Sequence, residues 1–371
     1  MMRTRLTLIL TVALLLGAGP LAQPADAAGC FGGRPSIVGT NGKDRIRGTN
    51  GGDVIVGLGG NDVILGRGGA DRICGGGGHD AINGGSGKDR LRGDAGDDAA
   101  TGSSGPDLLQ GNGGSDLLFG GSKNDRLLGH AGDDLLRGEE GNDVIRTAAG
   151  ADLLLGDVGD DRLDGGEGFD TASYFLNQGT GVVADLTAGV ATSAFSGADT
   201  LISIEDLEGS SLDDVLTGNA GENFFLPGPG NDTVNGADEF DQLVYLFSAS
   251  AVTADLATGV VTAEGTDTAS AVEGIQGSEF GDTLAGNAEA NFLVGFLGDD
   301  NLSGREGDDL LDGWDGNDTG DGGSEVDRCL SLEINSNCET FSRAAPERRT
   351  AAAGRSTSVV SVLTRVRSMP G

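Results

Sequence analysis

Gly39-Thr-Asn-Gly-Lys-Asp44-Arg-Ile46-Arg runs directly into Gly48-Thr-Asn-Gly-Gly-Asp53-Val-Ile55-Val, and that into Gly57-Leu-Gly-Gly-Asn-Asp62-Val-Ile64-Leu. The nine-residue unit continues to Gly165-Gly-Glu-Gly-Phe-Asp170-Thr-Ala172-Ser, fifteen copies over residues 39–173 with no insertion or deletion. Position 1 is Gly except at Thr147, and position 4 is Gly except at Lys123. Position 6 is always Asp, and position 8 is Ile or Leu except at Ala100 and Ala172. A period this strict marks a repeat architecture.

The glycines permit backbone conformations that a Cβ forbids, so positions 1 to 6 read as turn. Positions 7 to 9 place one inward aliphatic between two variable residues, which reads as a very short strand. Two turns and two strands then close one coil of two repeats. Copies i and i+2 stack about 4.8 Å apart. The fold class is all-β, a parallel β-roll or β-solenoid of Gly- and Asp-rich nonapeptides. Stacking sets the aspartate of each copy above that of the copy two further on.

The unit resembles the glycine-rich nonapeptide of the repeats-in-toxin, or haemolysin-type calcium-binding, family, whose pattern is G-G-x-G-x-D-x-U-x. The departure is at position 2, where only Gly76, Gly85, Gly121 and Gly166 match within the first block. Position 2 contributes mainly backbone, so this reads as mild variation. The resemblance implies ions between the turns of adjacent coils, held by both position-6 aspartates and by turn carbonyls. The candidate metal ligands of the first block are therefore Asp44, Asp53, Asp62, Asp71, Asp80, Asp89, Asp98, Asp107, Asp116, Asp125, Asp134, Asp143, Asp152, Asp161 and Asp170.

The residues point the same way. Two carboxylates about 4.8 Å apart repel by about 0.9 kcal/mol even in bulk water. Over the whole ladder this sums to roughly 10 kcal/mol, comparable with the stability of a typical domain. A counter-ion is needed. Carboxylates and carbonyls in a flexible turn are hard oxygen donors that suit Ca²⁺ better than Mg²⁺, which keeps its waters, or Zn²⁺, which takes Cys and His. Plain Asx turns would accept Asn or Ser at position 6, and this block has neither.

Residues 1–28 read as a signal peptide: Arg3 and Arg5, the apolar run Leu6 to Leu16, and the small-x-small site Ala25-Asp-Ala27. The run is too short to span a membrane. Ala27-Ala-Gly-Cys30 also has a faint lipoprotein look. Export makes Cys30, Cys74, Cys329 and Cys338 candidates for two disulfides. Pairing Cys30 with Cys74 and Cys329 with Cys338 would tie down the two ends of a repeat array, where fraying is easiest.

After Ser173 the period breaks. Residues 174–208 and 245–276 form two spacers with a shared theme, Val183-Ala-Asp185-Leu-Thr-Ala-Gly189-Val and Thr253-Ala-Asp255-Leu-Ala-Thr-Gly259-Val. Each is entered by Phe-Asp-x-x-x-Tyr, at Phe169 to Tyr174 and Phe240 to Tyr245. β-branched residues with interspersed Gly indicate strand, and the spacers read as wider coils without calcium turns. Nonapeptides resume over 209–244, with Asp214, Asn223, Asp232 and Asp241 at position 6. They resume again over 277–339, with Asp282, Asn291, Asp300, Asp309, Asp318 and Asp327 before the Cys338 end cap. Asn offers oxygen without charge, so weaker or missing sites are expected at Asn223 and Asn291. Residues 340–371 are basic and read as a disordered tail.

Net charge is −34 and aromatics are 4% of the chain, which excludes an ordinary globular core and disfavours nucleic acid or anionic membrane as partners. His79 and His130 sit at variable repeat positions. No His-Glu-x-x-His or Gly-x-Ser-x-Gly motif occurs. Residues 29–38, between the leader and the first repeat, cannot fold alone. Taken together, this reads as a secreted, non-enzymatic calcium-binding solenoid. It is either a structural or surface-associated protein, with cell-surface or matrix polymers as partners, or an extracellular calcium buffer. A polysaccharide-modifying enzyme is the distant alternative, the spacers that carry Asp185 and Asp255 being the only irregular acid-bearing segments.

Overall fold

The computed structural model describes residues 30–338. The 1–28 leader and the 340–371 tail lie outside the described residues. The chain divides into two compact units, whose described parts are residues 30–153 and 154–338. Every regular element among the described residues is a strand.

In the first unit successive strands alternate between two parallel sheets. Val54–Gly59 pairs with Arg72–Gly77, with Ile55 opposite Ile73. Val63–Gly68 pairs with Ala81–Ser86, with Ile64 opposite Ile82. Each strand thus lies beside the strand two copies on, the two-repeat coil expected from the period. Position 8 supplies the core between the sheets: Ile55, Ile64, Ile73, Leu91, Leu109, Leu118, Leu127, Leu136 and Ile145 are fully buried.

The strands are longer than the nonapeptide suggests. Most of those in the first unit run six residues, as in Val54–Gly59 and Arg90–Ala95. They take in positions 7 to 9 and then positions 1 to 3 of the next copy. The turn proper is only positions 4 to 6. The extension is possible because position 2 lies in the left-handed region, as at Leu58, Arg67, His130 and Glu139. This local reversal keeps the chain in register past position 1, with Leu58 opposite Gly76. Position 2 therefore does more than the mild variation suggested. It carries a positive φ in residues for which that conformation costs energy.

Glycine at position 1 is a packing requirement. A Cβ on Gly102 would lie 2.5 Å from Asp107 Oδ2 and 2.6 Å from the carbonyl oxygen of Gly120. The space a side chain would need is taken by the carboxylate of the same copy and a carbonyl of the copy two further on.

The second unit continues the two-sheet pattern, with Leu216 opposite Val234 and Leu293 opposite Leu311. Its spacers widen the coil in a specific way. Val183–Asp185, Val190–Ser193 and Gly197–Ile202 form an antiparallel meander. Its outer strands rejoin the parallel sheet on Val215–Thr217 and on Arg162–Asp164. Thr253–Asp255, Val260–Thr262 and Thr266–Ser270 repeat the arrangement. Asp185 and Asp255 cap the tight turns inside these meanders, accepting the N–H groups of Ala188 and Ala257. Arg305 also clamps Asp255 with two bonds, of 2.7 and 2.8 Å.

Both anticipated disulfides are present, Cys30–Cys74 and Cys329–Cys338. Cys30 and Cys74 are buried with Val56. The Cys30 sulfur is thus engaged in a bridge, not held free for lipid attachment.

Candidate metal centre

The strand ladder stacks the position-6 aspartates, and their backbones and side chains interlock. The Asp44 N–H donates to Asp62 Oδ1 at 2.8 Å, that of Asp62 to Asp80 Oδ1 at 2.8 Å, and that of Asp80 to Asp98 Oδ1 at 2.7 Å. The series continues through Asp116, Asp134 and Asp152. The facing row runs Asp53, Asp71, Asp89, Asp107, Asp125, Asp143 in the same manner. Oδ1 of every member after the first in each row is therefore committed to the backbone.

The other oxygen is left over. Oδ2 of Asp62, Asp71, Asp80, Asp89, Asp98, Asp107, Asp116, Asp125 and Asp134 is buried with no hydrogen-bond partner. These aspartates are at most 4% exposed, so water does not solvate them freely. A buried, unpartnered carboxylate oxygen is among the costlier features a fold can carry. Burial accordingly raises the carboxyls of Asp62, Asp89 and Asp116 to about 6, that of Asp107 to about 7, and those of Asp98, Asp125 and Asp134 to about 8. The ladder N–H groups pull in the opposite direction. For Asp98 the charges of Asp116 and Asp80 add to the rise.

The second unit has ladders of its own. Asp214 donates to Asp232, Asp282 to Asp300 and Asp300 to Asp318. Asn223 donates to Asp241, Asn291 to Asp309 and Asp309 to Asp327. Oδ2 of Asp232, Asp300, Asp309 and Asp318 is again buried and unpartnered. Burial takes Asp232 to about 8 and Asp300 and Asp309 to about 7.

Five ladder members fall outside the nonapeptide register and are not legible from it. The Asp161 N–H donates to Asp199 Oδ1 and that of Asp232 to Asp267 Oδ1, both at 2.9 Å. Glu205, Glu273 and Glu333 accept from Asp170, Asp241 and Asp318 through their Oε2 atoms. The tyrosines that end the repeated Phe-Asp-x-x-x-Tyr motif belong here too. The buried Tyr245 hydroxyl donates to Asp267 Oδ2 at 2.7 Å, and Tyr174 takes the corresponding place beside Asp199. The motif itself was the available signal, although its target lay more than twenty residues downstream.

Not every candidate aspartate is left with a spare oxygen. At Asp44, Asp53, Asp214 and Asp282 the backbone N–H of position 2 turns inward and donates to Oδ2. His79 is exposed on its turn, and His130 is exposed within the strand Arg126–Ala131.

The donors present fit a hard cation. Among the described residues no three His, Cys, Asp or Glu side chains converge to cage a metal alone. Side-chain donation at any turn is therefore limited to the stacked carboxylates, and main-chain carbonyls must complete a shell. Carboxylate plus carbonyl oxygen is a Ca²⁺ donor set. The Gly102 geometry shows one oxygen of each kind converging on the same side of the turn. All four cysteines are in disulfides, which removes the thiolates a Zn²⁺ site would use.

Fold and site define a parallel β-solenoid whose turns present buried, unneutralised carboxylates in two stacked rows. The model for the RTX calcium-binding nonapeptide repeat matches residues 38–73, 74–109, 110–145, 137–172, 204–243, 276–311 and 294–329. The chain belongs to that family. No curated protein matches it in sequence. Among the described residues no helix is long and apolar enough to cross a membrane.

Proposed function

We propose that the protein is an exported calcium-binding solenoid that closes on binding Ca²⁺, with a structural or surface-associated role and no catalytic site of its own. The observation that carries this is the row of buried, unpartnered Oδ2 atoms from Asp62 to Asp134. Such a row is stable neither ionised without a counter-charge nor solvated by water. Bound calcium supplies the positive charge that lets stacked carboxylates stay ionised at close range.

The chain's own residues set the coupling. With their carboxylates ionised and uncompensated, adjacent coils repel and the strand ladder opens. With the charge compensated, the ladder N–H bonds and the position-8 core hold the coils together. Each ligand site that exists only in the closed form adds about 1.4 kcal/mol at tenfold excess over its dissociation constant. Because each coil touches only its neighbours, closure spreads along the array. Calcium-poor cytoplasm would keep the chain extended for export, and a millimolar calcium exterior would close it.

Isothermal titration calorimetry of the metal-stripped full chain with CaCl₂ tests this. The expected result is uptake of many calcium ions per chain, undiminished by equimolar MgCl₂. No binding heat, or equal binding of magnesium, would contradict it.

A further inference from the structure

We propose that each nonapeptide block opens on a coil closed by its own hydrogen bonds, and that calcium enters only the copies beyond it. This rests on the calcium-binding reading above and assigns which copies carry it out.

The repeat adopts two turn conformations. In most copies position 2 is left-handed, as at Leu58, Ser103, Asn112, Phe296 and Arg305, and the position-6 Oδ2 has no partner, as at Asp62, Asp107, Asp116, Asp300 and Asp309. In six copies position 2 is not left-handed and its N–H donates to the position-6 side chain; Ala148, in the mid-block copy 147–155, is also outside the left-handed region. These six are the first two copies of each block: 39–47 and 48–56, 209–217 and 218–226, 277–285 and 286–294.

Each closed copy satisfies its own carboxylate or amide. Asp53 Oδ2 accepts from Thr49 N at 2.7 Å and from Thr49 Oγ1 at 2.9 Å. That uses both lone pairs of the oxygen. Thr40 serves Asp44 in the same way. The Gly51 carbonyl, 3.2 Å from Thr49 Oγ1, is a second acceptor within reach of the same hydroxyl proton. Asp214 accepts from Ser210 N, Ser210 Oγ and Val182 N, and Asp282 from Ser278 N, Ser278 Oγ and Val252 N. Three donors aim their positive ends at each of these carboxylates, so of about four lone-pair sites only one is left to a cation.

The two asparagines complete the pattern. Asn223 Oδ1 accepts from Asn219 N at 2.8 Å, and Asn223 Nδ2 donates to the Glu205 carbonyl at 2.7 Å. Asn291 does the same with Asn287 N and the Glu273 carbonyl. An amide brings its own hydrogens into the slot that an open copy leaves to a cation.

Native mass spectrometry of the calcium-saturated full chain tests the assignment, with far-UV circular dichroism confirming that each variant folds. Asp53→Asn and Asp282→Asn, which copy what the chain itself uses at Asn223 and Asn291, are expected to keep the wild-type ion count and calcium midpoint. Asp107→Asn is expected to lose at least one ion and to require more calcium to fold. Asp300→Asn, in a different block, supplies the same comparison should Asp107→Asn not fold. Equal ion loss from closed-copy and open-copy variants would overturn the closed coil while leaving calcium binding intact. A wild-type chain that takes up no calcium would instead overturn the reading beneath it.

Discussion

Asp98 shows at the scale of one residue what the repeat demands. Its Oδ1 accepts the Asp80 N–H at 2.7 Å, its own N–H donates to Asp116, and its Oδ2 is buried with no partner. Burial raises its carboxyl to about 8, against about 3.9 in an unfolded chain. The folded form therefore holds the proton more tightly than the unfolded form does. Without metal, the stability this group contributes is fully present below about pH 4 and is lost as pH rises toward about 8. Asp125, Asp134 and Asp232 behave alike, so the losses reinforce one another. The metal-stripped chain should show more β signal by far-UV circular dichroism at about pH 5 than at about pH 8. A signal independent of pH, or rising with it, would mean that the buried carboxylates are compensated some other way. The position-6 aspartates were the most legible residues in the sequence, because the period alone puts them in register. Which of their two oxygens remains available was not legible, since that depends on backbone N–H groups that every sequence has.

At the scale of the turn, the period predicted two repeats per coil and the inward aliphatic of position 8, and the structure has both. It did not show that the strand runs on through positions 1 to 3. The reason lies at position 2, where Leu58, Arg67 and His130 look like ordinary variable residues yet are left-handed. A glycine there would have advertised the conformation, as Gly76 and Gly85 do. Nor does side-chain type at position 2 separate closed turns from open ones. Ser210 closes its turn onto Asp214, whereas Ser103 is left-handed and open. Position 4 carries a further strained residue. Lys123 has φ 87° where neighbouring copies place Gly114 and Gly132 in the same region. A left-handed non-glycine costs roughly 1–2 kcal/mol. Lys123→Gly should therefore stabilise the calcium-loaded chain by about 1 kcal/mol, net of the greater freedom glycine gains on unfolding. Thermal unfolding in saturating calcium would register this as a higher Tm. An unchanged or lower Tm would mean that the Lys123 side chain contributes more than its backbone strain costs.

At the scale of the molecule, a chain of net charge −34 is held together by a core of about one aliphatic per nine residues and by two disulfides. The disulfide partners were legible from their placement at the ends of the repeat array. The spacers were legible as β structure, but the antiparallel meanders were not, because a short strand pattern carries no direction. Asp199, Asp267 and the three glutamates that extend the ladder lie off the nonapeptide period and became visible only through their hydrogen bonds. The central claim is that closure of the solenoid and uptake of calcium are one event. Far-UV circular dichroism of the metal-stripped full chain near neutral pH, titrated separately with CaCl₂ and MgCl₂, tests it most directly. The account predicts a cooperative change from coil to β signal in calcium and none in magnesium over the same range. A full β signal before any calcium is added would contradict it.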